Sequence, residues 1–463
     1  MSELIAAIST PPGTGGVGIL RLSGPGAGSA AAQVFRPAGP VPLDQAPDRQ
    51  LLYGTVLDRA GQPIDTGLAF VSRAPHSYTG EDTAELQCHG SPMVLSLALE
   101  ALYAAGARPA RPGEFTQRAF LNGKLDLAQA EAVMDLIDAE SPAAARQAAG
   151  QLTGALSRRV EGIYSALTDI MAHFCAVLDY PDEDLDPFQT EALGQDLAVQ
   201  AEALRALVAT GRRGQLLARG ITCALIGRPN AGKSSLLNAL AGYERAIVTH
   251  LPGTTRDTIE VNVELAGHPF RLVDTAGLRD SDDPIEQLGV DRSRQALAQA
   301  DLILLVRDGT RPPDGEDEAL LAQALAQGDT ILAVNKSDLP GYRLPAPDGA
   351  DTGHTLTVVE LSAKTGLGLA ALEAALGQAA RRLLPQAQAE AAGALLTNRR
   401  QTEAAERALA AVERAAAALE AGVTPDALLT DVEEAMAALG ELTGKTLRED
   451  ITQRIFDRFC VGK

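Results

Sequence analysis

At 463 residues the chain exceeds one ordinary domain, and an apolar fraction of 46% is enough for several sizeable cores. A formal net charge of −20 excludes a protein that holds nucleic acid by its overall charge, so any RNA contact must come from a local basic patch. Aromatics make up only 3% of residues and Trp is absent, so the cores are expected to be rich in Ala and Leu and largely helical.

The four cysteines, Cys88, Cys175, Cys223 and Cys460, form no CxxC pair and have no metal-ligand spacing. They read as reduced thiols of a cytoplasmic protein. The opening MSELIAAISTPPG has neither a basic n-region nor a long apolar core, so no signal peptide is expected. No apolar run approaches the ~18–20 residues of a membrane span, so no membrane association is expected.

Residues 1–118 read as an α/β domain, with short apolar runs at Ile5–Ile8, Val17–Leu22, Leu51–Val56 and Leu68–Val71, and a helix over Leu95–Ala105. Pro37–Asp48 is a proline-rich loop. Three local signatures stand out: Pro11–Arg21 (PPGTGGVGILR), Ser77–Asp82 (SYTGED) and Arg111–Lys124 (RPGEFTQRAFLNGK). The first is glycine-rich but lacks a long preceding strand with a Lys-Ser pair at its end, so a tight structural turn suits it better than a phosphate loop. Taken alone, none of the three identifies a ligand.

From residue 119 to 213 the pattern is helical. Leu127, Ala130, Val133, Met134 and Ile137 mark one apolar face, and Pro142 begins a helix expected to run through Leu156, Val160, Ile163 and Leu167 towards Leu178. Asp179–Asp186 is acidic but has no EF-hand glycine or terminal glutamate, and reads as a solvated turn. A further helix spans roughly Glu191–Thr210, and Gly211–Gly214 reads as the lead into the next domain.

Residues 214–380 carry the clearest chemistry. Ile221–Asn238 reads as strand, glycine loop and helix, the context that Gly227-Arg-Pro-Asn-Ala-Gly232-Lys233-Ser234 needs to be a Walker A phosphate loop. Loop amides and the positive helix end favour phosphate, lined by Asn230, Ala231, Gly232 and Ser235. Lys233 can reach the β- and γ-phosphates, and the Ser234 hydroxyl can bind Mg²⁺. Asn335-Lys336-Ser337-Asp338 caps the apolar run Ile331–Val334. An aspartate there can accept from the N1–H and exocyclic amine of guanine, whereas adenine offers no such donor pair. Ser362-Ala363-Lys364 is the second base-contacting element. Asp274, Thr275, Ala276 and Gly277 put a carboxylate near the metal and a glycine at the γ-phosphate, and Thr254-Thr255 offers a hydroxyl to the Mg²⁺ shell. The five elements in this order imply a Ras-like domain that hydrolyses GTP. Where Ras-like domains place a water-orienting glutamine, this chain has Leu278. Glu286 is the best local candidate for that task. Asp280, Asp282 and Asp283 are rivals on sequence alone, although a solvated acidic loop suits those three.

Residues 381–463 return to helix, at Thr397–Glu420, Pro425–Leu439 and Leu447–Phe459, so the Ras-like P-loop GTPase domain reads as an insertion into an all-α domain. Arg400, Arg407 and Arg414 share a helix face, which suits a charge-mixed solvated surface at least as well as an RNA patch. The tail Phe459-Cys460-Val-Gly-Lys463 places a lone thiol where a reactive group is plausible.

Together, PPGTGGVGILRLSG, YTGED, RPGEFTQRAFLNGKLDLAQAEAVMDLI, GRPNAGKSSLLNAL, GTTRD and FCVGK resemble one family along the whole chain, the bacterial tRNA-modification GTPases MnmE, also called TrmE. The resemblance implies that residues 1–118 bind a tetrahydrofolate one-carbon carrier (5,10-methylene- or 5-formyl-tetrahydrofolate) and form a homodimer. By motif match, Arg21, Glu81 and Lys124 would contact the folate, with Lys463 near it. Cationic Arg21 and Lys124 suit its carboxylates and Glu81 its pterin N–H edge. The resemblance further implies an FAD-dependent partner of the MnmG type, in a heterotetramer. Together they would install an aminomethyl or carboxymethylaminomethyl group at C5 of the wobble uridine of certain tRNAs. Cys460 would be a candidate participant. Potassium activation is implied as well, with Asn230 ligating K⁺ and the segment Thr249–Thr255, including Leu251 and Thr254, supplying carbonyls. The same match gives Glu286 the water-positioning role. The alternative is an RNA-binding switch in ribosome assembly, which shares the nucleotide boxes. Against it, the chain has neither a GXXG cleft signal nor a second Walker loop.

Overall fold

A computed structural model of the chain describes residues 3–179, 187–242, 260–274, 297–298, 300–344, 353–384, 393–422, 425–446, 449–457 and 459–462. It divides into two compact units. One comprises Met1–Met134, Val160–Leu185 and Ala417–Lys463, the other Asp135–Arg159 and Asp186–Ala416.

In the first unit, seven strands lie in the order β3-β4-β5-β6-β2-β1-β7: β1 (Ile5–Ile8), β2 (Gly15–Ser23), β3 (Phe35–Pro37), β4 (Leu52–Leu57), β5 (Pro63–Ser72), β6 (Thr83–Gly90) and β7 (Arg108–Pro109). Neighbours run antiparallel except β1 and β7. The period-2 pattern of β2 puts Leu20 and Leu22 on one face. There they share a core with Leu86 and with Ala27, Ala31, Leu95 and Leu102 of the helices Ala27–Val34 and Pro92–Ala104. Small alanines let those helices lie close to the sheet.

The end of the chain is built into this unit. Phe456, closing the helix Glu449–Phe456, and Phe459 pack with Leu127 and Ala130. A Cβ at Gly113 (φ 64) would fall 2.5 Å from the Phe456 carbonyl oxygen and 2.8 Å from Phe459 Cβ, so only glycine allows this approach. Ser9 Oγ donates to the Gly462 carbonyl at 3.0 Å, and the Gly113 N–H to that of Cys460 at 3.3 Å. The helix Leu127–Ile137 forms as expected, but its buried face is Leu127, Ala128, Ala130 and Ala132, and Ile137 is exposed.

The second unit centres on a six-stranded sheet, β13-β12-β11-β8-β10-β9: β8 (Ile221–Ile226), β9 (Glu260–Leu265), β10 (His268–Asp274), β11 (Leu302–Asp308), β12 (Thr330–Asn335) and β13 (Leu356–Glu360). All neighbours are parallel except β9 and β10. β8 and β12 are buried at every residue, as continuous apolar strands covered on both faces must be. Two helical expectations are corrected. The helix begun at Pro142, capped by Ser141 Oγ accepting from the Ala144 N–H at 3.1 Å, ends at Leu152, and a separate helix starts at Ala155 after a turn at Thr153–Gly154. Gly211–Gly214, expected as the lead into the next domain and not as helix, begins a helix, Gly211–Arg219, because Leu216 is drawn into the apolar core of the sheet. Asp179 ends the long helix, and the rest of the acidic turn lies outside the described residues. Among the described residues no helix is long and apolar enough to cross a membrane.

Candidate functional site

The parallel sheet positions the nucleotide residues at the carboxyl ends of its strands, where ligands of open α/β sheets sit. The loop after β8 turns on Asn230 (φ 63) and Gly232 (φ 100). Asparagine tolerates the left-handed region. At Gly232 a Cβ would lie 2.2 Å from Asn335 Nδ2, so a side chain is excluded. The helix Lys233–Ala241 starts directly after this turn, with Ser234 and Ser235 in its first turn, where unpaired amides point outward. Lys233 Nζ donates to the carbonyls of Gly227 (2.8 Å) and Arg228 (3.1 Å). Burial lowers the pKa of this ammonium, against the pull of the Asp274 carboxylate at the end of β10. Asp274 is only 4% exposed.

The base-side wall is tied to the loop by Asn335. Its Nδ2 donates to the Ala231 carbonyl at 2.9 Å, while its Oδ1 accepts from the N–H groups of Lys336 (2.8 Å) and Ala363 (2.9 Å). One buried amide thus locks together the loop after β8 and the segments after β12 and β13. Ser362 Oγ donates to Asp338 Oδ1 at 2.7 Å and accepts from the Thr365 N–H at 3.2 Å, which aims the aspartate. Asn335, Lys336, Asp338, Ser362, Ala363 and Lys364 line a cavity of about 310 Å³. Its size and its mix of carboxylate, amide and amine groups suit a planar heterocycle with hydrogen-bonding edges.

Two contacts were not anticipated from the sequence. Lys336 (φ 69) donates through Nζ to Asp308 Oδ2 at 2.6 Å, which fixes its stem along the cavity. A polar residue closing the apolar strand β11 was the available signal. Arg228, inside the phosphate loop, pairs with Asp314, Glu316 and Asp317. Thr249, His250, Leu251, Thr254, Thr255, Thr275, Ala276, Gly277, Leu278, Asp280, Asp282, Asp283, Glu286 and Lys463 lie outside the described residues.

In the first unit Arg21, Glu81 and Lys124 gather round the single loop 73–82. Arg21 lies over the Tyr78 ring, 5.4 Å from its centroid, with its Nε on Glu85 at 2.8 Å. Glu81 Oε2 accepts from Ser23 Oγ and from Arg118, both at 2.8 Å. Lys124 Nζ donates to the Pro75 carbonyl at 3.1 Å. Behind them Arg118, 7% exposed, also meets Glu114 at 3.0 Å. This explains why the second and third signatures occur together: they meet through Glu81 and Arg118. Cys460 is an exposed free thiol.

A family model described as the MnmE helical domain matches residues 127–460, and one described as the N-terminus of GTP-binding protein TrmE matches residues 4–124. The chain is similar to the protein called tRNA modification GTPase MnmE in Chloroflexus aurantiacus, at 46% identity over 465 residues and 100% of each chain. The protein of that name in Roseiflexus sp. is 44% identical over 468 residues, covering 100% of this chain and 99% of that one. One of the same name from Thermus thermophilus is 44% identical over 464 residues and 100% of each chain. The chain belongs to the MnmE, or TrmE, family of tRNA modification GTPases.

Proposed function

We propose that the chain hydrolyses GTP in a potassium-dependent manner and uses that cycle to drive a folate-dependent modification at C5 of the wobble uridine of tRNA. The observation that carries the nucleotide half is the Asn335 side chain, which joins the phosphate loop to the wall holding Asp338. Asp338 would read guanine, and Asn230 to Ser235 would cradle the phosphates. Lys233 would exchange its loop carbonyls for phosphate oxygens. Bound Mg²⁺ would neutralise phosphate charge; Ser234 and Thr255 are the residues to hold it, and Asp274 stands at the end of β10 to orient its waters. Asn230, already in the left-handed conformation, would present its side chain to K⁺, beside carbonyls of the segment Thr249–Thr255 with Thr249, Leu251 and Thr254. Glu286 would hold the attacking water, since Leu278 has no polar atom to do so.

For the RNA chemistry we infer a tetrahydrofolate site at Arg21, Glu81 and Lys124. Their common loop supports this, because two cations and a carboxylate there suit the carboxylates and the N–H edge of such a ligand. Cys460 lies on the tail that closes on Ser9 and Gly113 of the same unit, and Lys463 follows it in sequence. A homodimer, a flavin-dependent partner of the MnmG type and a cytoplasmic location complete the reading. So does the four-part division at residues 118, 213 and 380 into folate-binding domain, first helical part, GTPase domain and second helical part.

Turnover of GTP in potassium and in sodium tests the first half. Potassium is expected to stimulate hydrolysis strongly, and Glu286→Ala is expected to slow it by about 10²-fold or more while nucleotide still binds. Equal rates in the two salts would remove the role given to Asn230. A Glu286→Ala protein of full activity would move the water-holding role to another side chain.

A further inference from the structure

A protein of net charge −20 has to bind a nucleotide that is itself a polyanion, and the neighbourhood of the phosphate loop makes this harder. The helix Gly315–Gln327 begins with a dense acidic turn. Asp314 caps it by accepting from the N–H groups of Glu316 (3.1 Å) and Asp317 (3.2 Å), and the Asp314 N–H returns a bond to Asp317 Oδ2 at 3.3 Å. The helix end welcomes these carboxylates. A triphosphate would not.

Arg228 stands between the two. Its carbonyl touches the phosphate-binding lysine, and the guanidinium of its side chain, which is 18% exposed, closes on all three carboxylates. It meets Asp314, Glu316 at 2.6 Å and Asp317 at 3.7 Å. Asp317 is itself only 7% exposed, and its other cation, Arg311, is at 3.9 Å. The acidic turn therefore lies one arginine side chain from the loop backbone, a separation comparable with the ~8–10 Å over which salt leaves charges visible to one another. A planar guanidinium can face several carboxylates at once, which a point ammonium does less well.

We propose that Arg228 is a positioning residue for nucleotide binding: it clamps the phosphate loop to the start of the helix Gly315–Gln327 and neutralises the carboxylates there that would otherwise repel the triphosphate. This goes beyond the potassium and folate readings above and does not rest on them. It predicts a charge-dependent preference. Losing the clamp should harm GTP more than GDP, because the triphosphate carries more negative charge.

The test is equilibrium titration of the full chain with a fluorescent GTP analogue, and with the GDP analogue, in magnesium at low and high sodium chloride. Arg228→Ala is expected to weaken triphosphate binding about tenfold at low salt, with a smaller loss for the diphosphate. The gap should narrow at high salt. Arg228→Lys should recover part of the loss, and so should adding Glu316→Gln to Arg228→Ala. Unchanged binding in Arg228→Ala would overturn the proposal. So would a loss of the same size at both salt concentrations without recovery from Glu316→Gln, because that is the signature of packing alone. Should Arg228→Ala fail to fold, Glu316→Gln on its own decides the matter. Tighter triphosphate binding is expected, by roughly twofold; unchanged or weaker binding contradicts the clamp.

Discussion

Ser362 fixes where the Asp338 carboxylate points, and the value of that aim is large because the acceptor is charged. Two hydrogen bonds from guanine to an ionised carboxylate are worth about 1.5–3 kcal/mol each, so Asp338→Ala should weaken GTP binding by roughly 10²–10⁴-fold with no gain for ATP. Ser362→Ala removes only the aim and should cost about tenfold; competition titration with GTP and ATP measures both. Thiol chemistry separates the cysteines at the same scale. Burial, aided by Asp301, pushes the Cys223 thiol up to about 12, and burial with Asp65 pushes Cys88 up to about 11. Alkylation needs the thiolate and access. In the native protein at neutral pH, exposed Cys175 and Cys460 should therefore be labelled well before Cys88 and Cys223, as peptide mass mapping would show.

Among the elements, the phosphate loop and the start of the helix Glu114–Leu121 both take their geometry from contacts far along the chain. Gly232→Ala would drive a Cβ to within 2.2 Å of Asn335 Nδ2 in a backbone region that alanine avoids. Either the loop or the amide must move, so nucleotide affinity should fall by about tenfold or more while the buried strand β8 keeps the sheet folded. In the first unit, burial resists ionisation of Glu114, but bonds from Arg108, the Arg111 N–H and Arg118 outweigh it and hold the carboxyl at about 2, against an ordinary 4.5. A depressed carboxylate stabilises the fold fully above its unfolded pKa and ceases to as pH falls towards the folded one. Thermal melting should thus show a loss between about pH 4.5 and 2 that Glu114→Gln lacks; that variant should already be less stable by about 3–5 kcal/mol at neutral pH. Sequence periodicity made strands such as the apolar and β-branched run Ile221–Ile226 and the alternating Val17–Leu22 legible, with helices such as Leu127–Ile137 and Arg399–Glu420, but not β3, β6, β7 or β11. It did not show the break at Thr153–Gly154 or the helix Gly211–Arg219. The first looked like continuous helix by composition, and the second is glycine-rich yet held by the burial of Leu216.

On the scale of the whole molecule, the nucleotide boxes were legible because each sits at a strand end in a fixed order and carries its own chemistry. The contacts that tie the boxes together were not. Asn335 reaching Ala231, Lys336 reaching Asp308 and Arg228 reaching the acidic turn join residues far apart in sequence, and no spacing rule announces them. The same holds for Glu81 and Arg118, which turn two unexplained signatures into one cluster. The central proposal is that GTP bound at Lys233 and Asp338 drives a modification carried out by other residues of the chain. The most direct measurement is mass analysis of wobble uridines in cells lacking the gene, complemented with the wild-type chain or with Lys233→Ala. The predicted result is that the C5 substituent returns with the wild type and stays absent with the variant; full restoration by Lys233→Ala would contradict the coupling.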